Sequence, residues 1–339
     1  MAPRPIPPEV LKLVRRDLAE GKLTRDEIAT KFEISQGKVS NIKAAMMGLY
    51  EESPAPAVDS DKKVGDFDWE EWTDWIEQGQ ELRHKASFSQ KQALITLGDG
   101  SRPVILFQLG DMHIGSWATD YKILKTITKE IQETDGLYVA LMGDLVEMAI
   151  KMRSVLEVTS QILPPEQQMR FLESWLEGIW DKVAFSTWCN HAVEREEKMT
   201  GISSIKNLLS RKSVYFNGIG HPDIKVGDQV YTIAASHRFR GKSMYDSTFG
   251  PKRYGRMEGH DREIMLQADL HDPAVSTYIN GGKKKISITS GTLVLNSGYA
   301  ERYFSLFTFP IFPCIVLRHD RHEAIPFWNL AEAQTYLRG

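Results

Sequence analysis

The chain has 339 residues, of which 42% are hydrophobic and 26% charged, and its formal net charge at pH 7 is −3. That balance is enough to bury a full core, and it excludes a nucleic-acid coat protein, so any basic surface must be local. No apolar run reaches the ~18 residues of a membrane span, and two cysteines, Cys189 and Cys314, cannot make a disulfide framework.

Met1 to Pro8 is proline-rich and an amphipathic charged helix follows, unlike a secretory leader. A reducing, cytoplasmic setting with no membrane partner is therefore expected. Composition then divides the chain into a helical module over 1–48, a Pro/Ala/Ser/Asp-rich linker over 49–67, and one continuous domain over 68–339.

The first module splits into three helices. Thr24 and Glu27 form a T-x-x-E capping box with Leu23 and Ile28 as its hydrophobic staple, and Ser35 caps the third helix with Ile34 and Val39 as staple. Val39, Ile42 and Met46 form the buried stripe of that third helix. Its other face presents Gln36, Ser40 and Lys43 with Asn41 beside them, side chains suited to base edges and phosphates. The run LTRDEIATKFEISQGKVSNI resembles the helix-turn-helix family of DNA-binding modules, which makes the third helix the recognition helix and DNA the expected partner. The alternative is a trihelical module that binds protein or packs on the main domain. With one copy and modest basicity, tight DNA binding calls for a homodimer or help from the other domain.

The main domain opens with an aromatic helix carrying Trp69, Trp72 and Trp75, followed by a predicted hairpin around Gly98–Asp99–Gly100. Apolar strands then alternate with amphipathic helices: PVILFQLG, a helix near 120–133, LYVALMG, a helix near 165–181, and VAFSTW. From about residue 212 the pattern is strand-rich: VYFNGI, QVYTIAAS, EIMLQA, ISITS, TLVLN and PCIVLRH. Such alternation predicts an α/β domain with helices covering a sheet.

Five of these strands end in metal-ligating residues. Asp111 and His113 follow PVILFQL, two apart, so an extended backbone points both to one side. Asp144 and Glu147 follow LYVALM, Asn190–His191 follow VAFSTWC, His237 follows YTIAAS, and Asp269 and His271 follow EIMLQA. One histidine after one strand is usually structural, and a Gly-Asp pair is usually a turn. Five in succession, each giving Asp, Asn or His, is the oxygen and imidazole set that a pair of divalent ions takes.

The motif order D-x-H, G-D-x-x-E, N-H, H, D-x-H resembles the calcineurin-like metallophosphoesterases over about residues 103–320. The resemblance implies a sandwich of two mixed β-sheets flanked by helices, and hydrolysis of a phosphate ester by a hydroxide that two metals activate. Asp111, His113 and His271 would bind the first metal and Asp144 would bridge both. Asn190, His237 and Asp269 would bind the second, while His191 would act on the leaving oxygen. Two cations about 3.5–4 Å apart lower the pKa of water and clamp phosphoryl oxygens during in-line attack.

This chain departs from the family at three points: Cys189 precedes Asn-His in place of Gly, Ala192 follows it in place of an acid, and Asp269 replaces a histidine. Glu194 or Glu196 is expected to orient His191 instead, and His260 competes with Asp269/His271 for the last motif. An additional carboxylate at Asp269 either favours Mn²⁺ or Mg²⁺ over Zn²⁺ or marks a weaker or decayed second site; Mn²⁺ is the expected ion, with Mg²⁺, Fe²⁺ and Zn²⁺ also admissible.

Between His237 and Asp269 runs a basic, aromatic loop in which Arg238, Arg240 and Arg253 are the expected phosphate contacts. Phe239, Tyr245, Phe249 and Tyr254 would stack on bases or pack on the domain itself. Lys283–Lys285 read as a charged hairpin turn, and His319 and His322 as turn residues rather than ligands. The resulting expectation is a metal-dependent phosphodiesterase acting on DNA, similar to repair and phage phosphoesterases. The rivals are a protein or small-molecule phosphoesterase, and a DNA-binding regulator with a non-catalytic phosphoesterase domain.

Overall fold

A small apolar centre of Val14, Ile28, Ala29, Val39 and Ile42 draws three helices together in the computed structural model, which describes residues 6–46, 68–86, 91–150, 161–295 and 310–338. They are α1 (Pro8–Glu20), α2 (Arg25–Lys31) and α3 (Gln36–Met46). The capping box forms: the Thr24 hydroxyl accepts from the Glu27 backbone while the Glu27 carboxylate accepts from the Thr24 amide. Asp17 is buried beneath this cluster and takes a 2.5 Å ion pair from Lys31, which holds its carboxyl below the usual range. Met46 is not part of the stripe; it is exposed, because the apolar face closes at Ile42. Helix α4 (Trp69–Ala86) starts from an Asp68 side chain that accepts from the amides of Glu70 and Glu71. The chain separates into two compact units, Met1–Phe88 and Ser89–Gly339, which places α4 in the first. The linker expected over 49–67 lies outside the described residues.

The second unit holds twelve described strands in two sheets of six. One sheet has the order β1 (Gln92–Thr96), β6 (His221–Val226), β7 (Gln229–Ser236), β8 (Ile264–Gln267), β10 (Lys283–Thr289), β9 (Ala274–Asn280). The other runs β12 (Ala324–Phe327), β11 (Cys314–Leu317), β2 (Val104–Leu109), β3 (Leu137–Leu141), β4 (Val183–Thr187), β5 (Val214–Phe216). Both are mixed: β2 to β5 are parallel and β11 is antiparallel to β2, while β7, β8 and β10 are parallel and β9 is antiparallel to β10.

Between the sheets lies one apolar layer with Leu106, Ala140, Phe185, Ile224, Ile233, Leu266, Ile288 and Ile315. On the other face of the second sheet, Ile105, Phe107, Val139 and Leu141 meet Leu124 and Ile127 of α5 (Tyr121–Glu133) and Leu172 and Leu176 of α6 (Pro165–Glu177). β2 is thus buried on both faces, which is why its sequence is a continuous apolar run rather than an alternating one. Further α-helices among the described residues are α7 (Arg195–Thr200), α8 (Ser204–Lys212), α9 (Phe249–Met257) and α10 (Leu330–Arg338). This is the sandwich of two mixed sheets flanked by helices that the motif order implied.

Three local expectations are corrected. The strands around Gly98–Asp99–Gly100 form no hairpin; β1 pairs with β6 in one sheet and β2 with β3 and β11 in the other, so the turn carries the chain between layers. Residues 292–295 of the TLVLN run form no strand; Val294 makes a single bridge to Thr119. Lys283–Lys285 are strand residues, and the turn is Gly281–Gly282, both with positive φ. Lys285 is fully buried, and its ammonium donates to the carbonyls of Gly259, His260 and Arg262, so the charge pins that loop instead of facing water.

In the turn between α2 and α3, Glu33 has φ +54°, a conformation that costs a residue with a Cβ about 1–2 kcal/mol. Glu33→Gly removes that cost at the expense of some backbone entropy. The variant should stabilise the first unit by about 0.5 kcal/mol, read as a later helix-unfolding transition of the full chain by circular dichroism in urea.

Candidate metal centre

All five motif segments converge on one edge of the sandwich, where β2, β3, β4, β7 and β8 end. Asp111 and His113 face the same site, but not by extended alternation: φ is +49° at Asp111 and +47° at His113. Left-handed backbone recurs at Asp144 (+47°), Asp269 (+69°) and His271 (+57°). None of these residues is glycine, so each turn stores strain that the surrounding packing must hold, as is common at functional sites. The turns are cross-linked by backbone bonds, Asp111 N to Gly143 O at 3.1 Å and His113 N to Asp144 O at 3.0 Å. The Asp269 amide donates to Asp111 Oδ2 at 2.8 Å.

The donor atoms form overlapping groups. Within Asp111, His113 and His271, one donor atom from each lies within 4.8 Å of the others, and the same holds for Asp111, Asp144 and His237, and for His113, Asp144 and His191. His271 Nε2 is 3.5 Å from Asp111 Oδ1, and His113 Nε2 is 4.0 Å from Asp144 Oδ2. On the second side His237 Nε2 lies 2.8 Å from Asn190 Oδ1, 3.2 Å from Asp144 Oδ2 and 3.9 Å from Asp269 Oδ1. Asp144 therefore stands between an Asp111/His113/His271 group and an Asn190/His237/Asp269 group. His237 Nδ1 is 2.7 Å from the Met142 carbonyl, which aims Nε2 at the site.

Several of these atoms are buried without a hydrogen-bond partner: Asp111 Oδ1, His113 Nε2 and Asp269 Oδ2. Burying a lone pair or N–H in this way costs about 1–3 kcal/mol each unless something takes it up. The donor set is carboxylate, imidazole and amide oxygen, and it suits divalent cations of the Mn²⁺ or Mg²⁺ kind. The residues fit such ions on both counts.

His191 is the second residue of a π-helical turn over Asn190–Glu194, and its amide donates to Asp144 Oδ1 at 3.1 Å. Neither Glu194 nor Glu196 orients it. Glu194 is bound to Lys198 and Glu196 to Ser204, both away from the ring. The group that faces His191 Nδ1, at 3.8 Å, is Glu147, which also takes a 2.7 Å hydrogen bond at His113 Nδ1 and lies 3.6 Å from Arg195. Burial would raise the Glu147 carboxyl, but the hydrogen bond to His113 and the nearby His191 ring win and hold it well below the usual carboxylate range. Its place in the G-D-x-x-E segment was the available signal, and Glu147 also explains why Ala192 can be fully buried where an acid is expected.

The basic loop is only partly a rim. Arg238 and Arg240 are exposed, Arg238 with Nε 3.3 Å from Asp269 Oδ2. Arg253 sits half-buried on α9, 3.7 Å from Glu258. Phe239 and Tyr254 pack into the domain beside Met265, whereas Tyr245 is 91% exposed and Phe249 also reaches solvent. His260 is exposed on the loop that Lys285 holds, and His322 stacks on Tyr231 and bonds Glu263. In the first unit Gln36 and Lys43 are exposed on α3 and Ser40 is half-buried, 3.5 Å from Arg25; the Asn41 side chain lies outside the described residues.

No family model matches the chain, and no curated protein matches it. Among solved structures, Vps29 of Chaetomium thermophilum is 11% identical, with 66% of this chain and 96% of that chain covered and a TM-score of 0.38. The Thermotoga maritima protein TM1076 is also 11% identical, covering 66% and 99% at a TM-score of 0.33. Sulfate thiohydrolase SoxB of Thermus thermophilus, solved with glycerol, is 10% identical, covering 68% and 57% at 0.32. None of the three bears on which reaction this site performs.

Two outcomes follow from the geometry. Gly143 has φ +89°, and a Cβ there would lie 2.7 Å from the Cys189 Cβ and 2.8 Å from His237 Nδ1. Gly143→Ala should cost at least about 2 kcal/mol in denaturant unfolding. The second outcome concerns protons. Burial would lower His237, but Asp144, Asp111 and Asp269 override it and raise the imidazole from 6.5 to about 10. Without ions, that pairing stabilises the fold fully below pH 6.5 and is lost as pH rises through about 10. An ion must displace the His237 proton. Mn²⁺ uptake should therefore release a proton at pH 7 and tighten with rising pH, measured by calorimetry in buffers of different ionisation enthalpy.

Proposed function

We propose that this chain is a metal-dependent phosphodiesterase that cleaves DNA at the Asp111–His271 centre. The observation that carries the reading is the convergence of strained, buried and partly unsatisfied Asp, His and Asn donors around a central Asp144. Asp111, His113, Asp144 and His271 would hold one ion, and Asp144, Asn190, His237 and Asp269 the other. When bound, two such ions supply an acidified water and a clamp for the phosphoryl oxygens.

The protein's own groups complete the arrangement. His191 is half-buried at the mouth of the centre, and its imidazole protonates the departing oxygen. Glu147 faces Nδ1 of that ring and so favours an N–H there, and the proton given to the leaving oxygen is the second one, on Nε2 of the doubly protonated ring. Arg238 is exposed beside Asp269 and Arg240 is exposed two residues further on, and both meet the phosphate oxygens of the substrate chain. Tyr245 is the exposed aromatic of the same loop and offers a face on which a base can stack. Support for DNA over a small ester comes from the three-helix module, whose third helix exposes Gln36 and Lys43. A homodimer would double that weak contact.

The test is cleavage of single- and double-stranded DNA in Mn²⁺, beside a His191→Ala variant and a chelated sample. Cleavage should fall by about 10²–10⁴-fold in the variant and vanish on chelation. Turnover of a small chromogenic diester without DNA cleavage would redirect the reading to another phosphoester. DNA binding with no metal-dependent turnover of either would mark the domain as a non-catalytic scaffold.

A further inference from the structure

Asp269 and Arg238 are adjacent at the second-ion side of the centre, and neither is placed casually. The Asp269 backbone is left-handed and its amide is fixed on Asp111 Oδ2. Its side chain is only 9% exposed, with Oδ1 turned to His237 Nε2 at 3.9 Å and Oδ2 turned to Arg238 Nε at 3.3 Å. No hydrogen bond is aligned on Oδ2, so the approach of Arg238 is an ion pair. Arg238 also starts from a fixed backbone. The Ser236 hydroxyl accepts from its amide and donates to its carbonyl, and the next residue, Phe239, is buried with its amide on Gln267 Oε1. Beyond that anchor the guanidinium runs outward and is 48% exposed.

We infer that Asp269 and Arg238 act as one coupled arm in which Arg238 claims one carboxylate oxygen and leaves the other to the second ion. This rests on the two-ion reading above. The electrostatics favour such a division. Asp144 and Asp269 would bring two negative charges to the second ion, alongside the neutral Asn190 and His237. Arg238 offsets one of those charges and prevents Asp269 from chelating through both oxygens. Asp269 is thereby a one-oxygen ligand, like an imidazole in denticity and, with Arg238 counted, in charge. Arg238 is a positioning residue in this role, acting on the ion only through the carboxylate.

A double-mutant cycle with Mn²⁺ as the probe tests the coupling. The variants Arg238→Gln, Asp269→Asn and the pair are titrated by calorimetry, with the dinuclear Mn²⁺ signal followed by electron paramagnetic resonance and folding checked by circular dichroism. Arg238→Gln should tighten the second Mn²⁺ by about three- to tenfold, because Oδ2 is released. In the Asp269→Asn background the same change should shift affinity less than about twofold, since no carboxylate remains to release. An equal shift in both backgrounds, no shift, or weaker binding in Arg238→Gln would overturn the inference. Fewer than two ions on the unsubstituted protein would instead remove the two-ion reading and this inference with it. Should Asp269→Asn fail to fold, Asp269→Gly serves, since it also removes the carboxylate and tolerates the left-handed backbone at this position, and an equal effect of Arg238→Gln there overturns the coupling.

Discussion

A carboxylate buried as fully as Asp144 cannot stay charged on its own, and the centre is organised around that constraint. Burial alone would raise its pKa, yet His237, His191 and His113 converge on it and hold the group well below the ordinary range. Those three rings arrive from β7, from the turn after β4 and from the turn after β2. One desolvated charge therefore ties together strands from both sheets. The price appears as backbone strain at five non-glycine residues and as polar atoms lacking partners. A sandwich whose only task was to stay folded would have little reason to retain either.

Glu147 performs a related task one layer out. Its carboxylate meets His113 on one side and His191 on the other, with Arg195 beside it. His113 and His191 are thus oriented by the same anion. Its position follows from the turn at Val146–Met148, where Gln168 accepts from the Met148 amide and Gly115 leaves room for that glutamine. Orientation at the centre consequently depends on α6, which supplies no ligand.

Much of this was legible in the residues. Continuous apolar runs such as VILFQL mark strands buried on both faces, and each motif sat directly behind such a run. The missed strands have a different character. His221–Val226 reads HPDIKV and buries only alternate residues, and Ala274–Asn280 lies at a sheet edge with most of its side chains half covered. Neither carries an apolar run that would distinguish it from loop. The supposed hairpin at Gly98–Gly100 failed because turn residues do not say which sheet the next strand joins. Lys285 was misread because three backbone carbonyls, unseen in the sequence, can satisfy a buried ammonium. Glu147 escaped assignment because the residue it serves, His191, is distant in sequence and reached only through the fold.

The antiparallel pairing of β11 with β2 has a consequence for how the protein comes into being. Cys314 lies opposite Phe107, and β2 carries the chain directly to Asp111 and His113. That strand is flanked on one side by β3, available early in synthesis, and on the other by β11, which emerges from the ribosome only after the last motif, Asp269 and His271. Pairings of such long range form slowly. The sheet behind Asp111 and His113 therefore stays open along one edge while the chain is being translated, and a nascent chain holds every residue of the centre before it holds the frame that aims them.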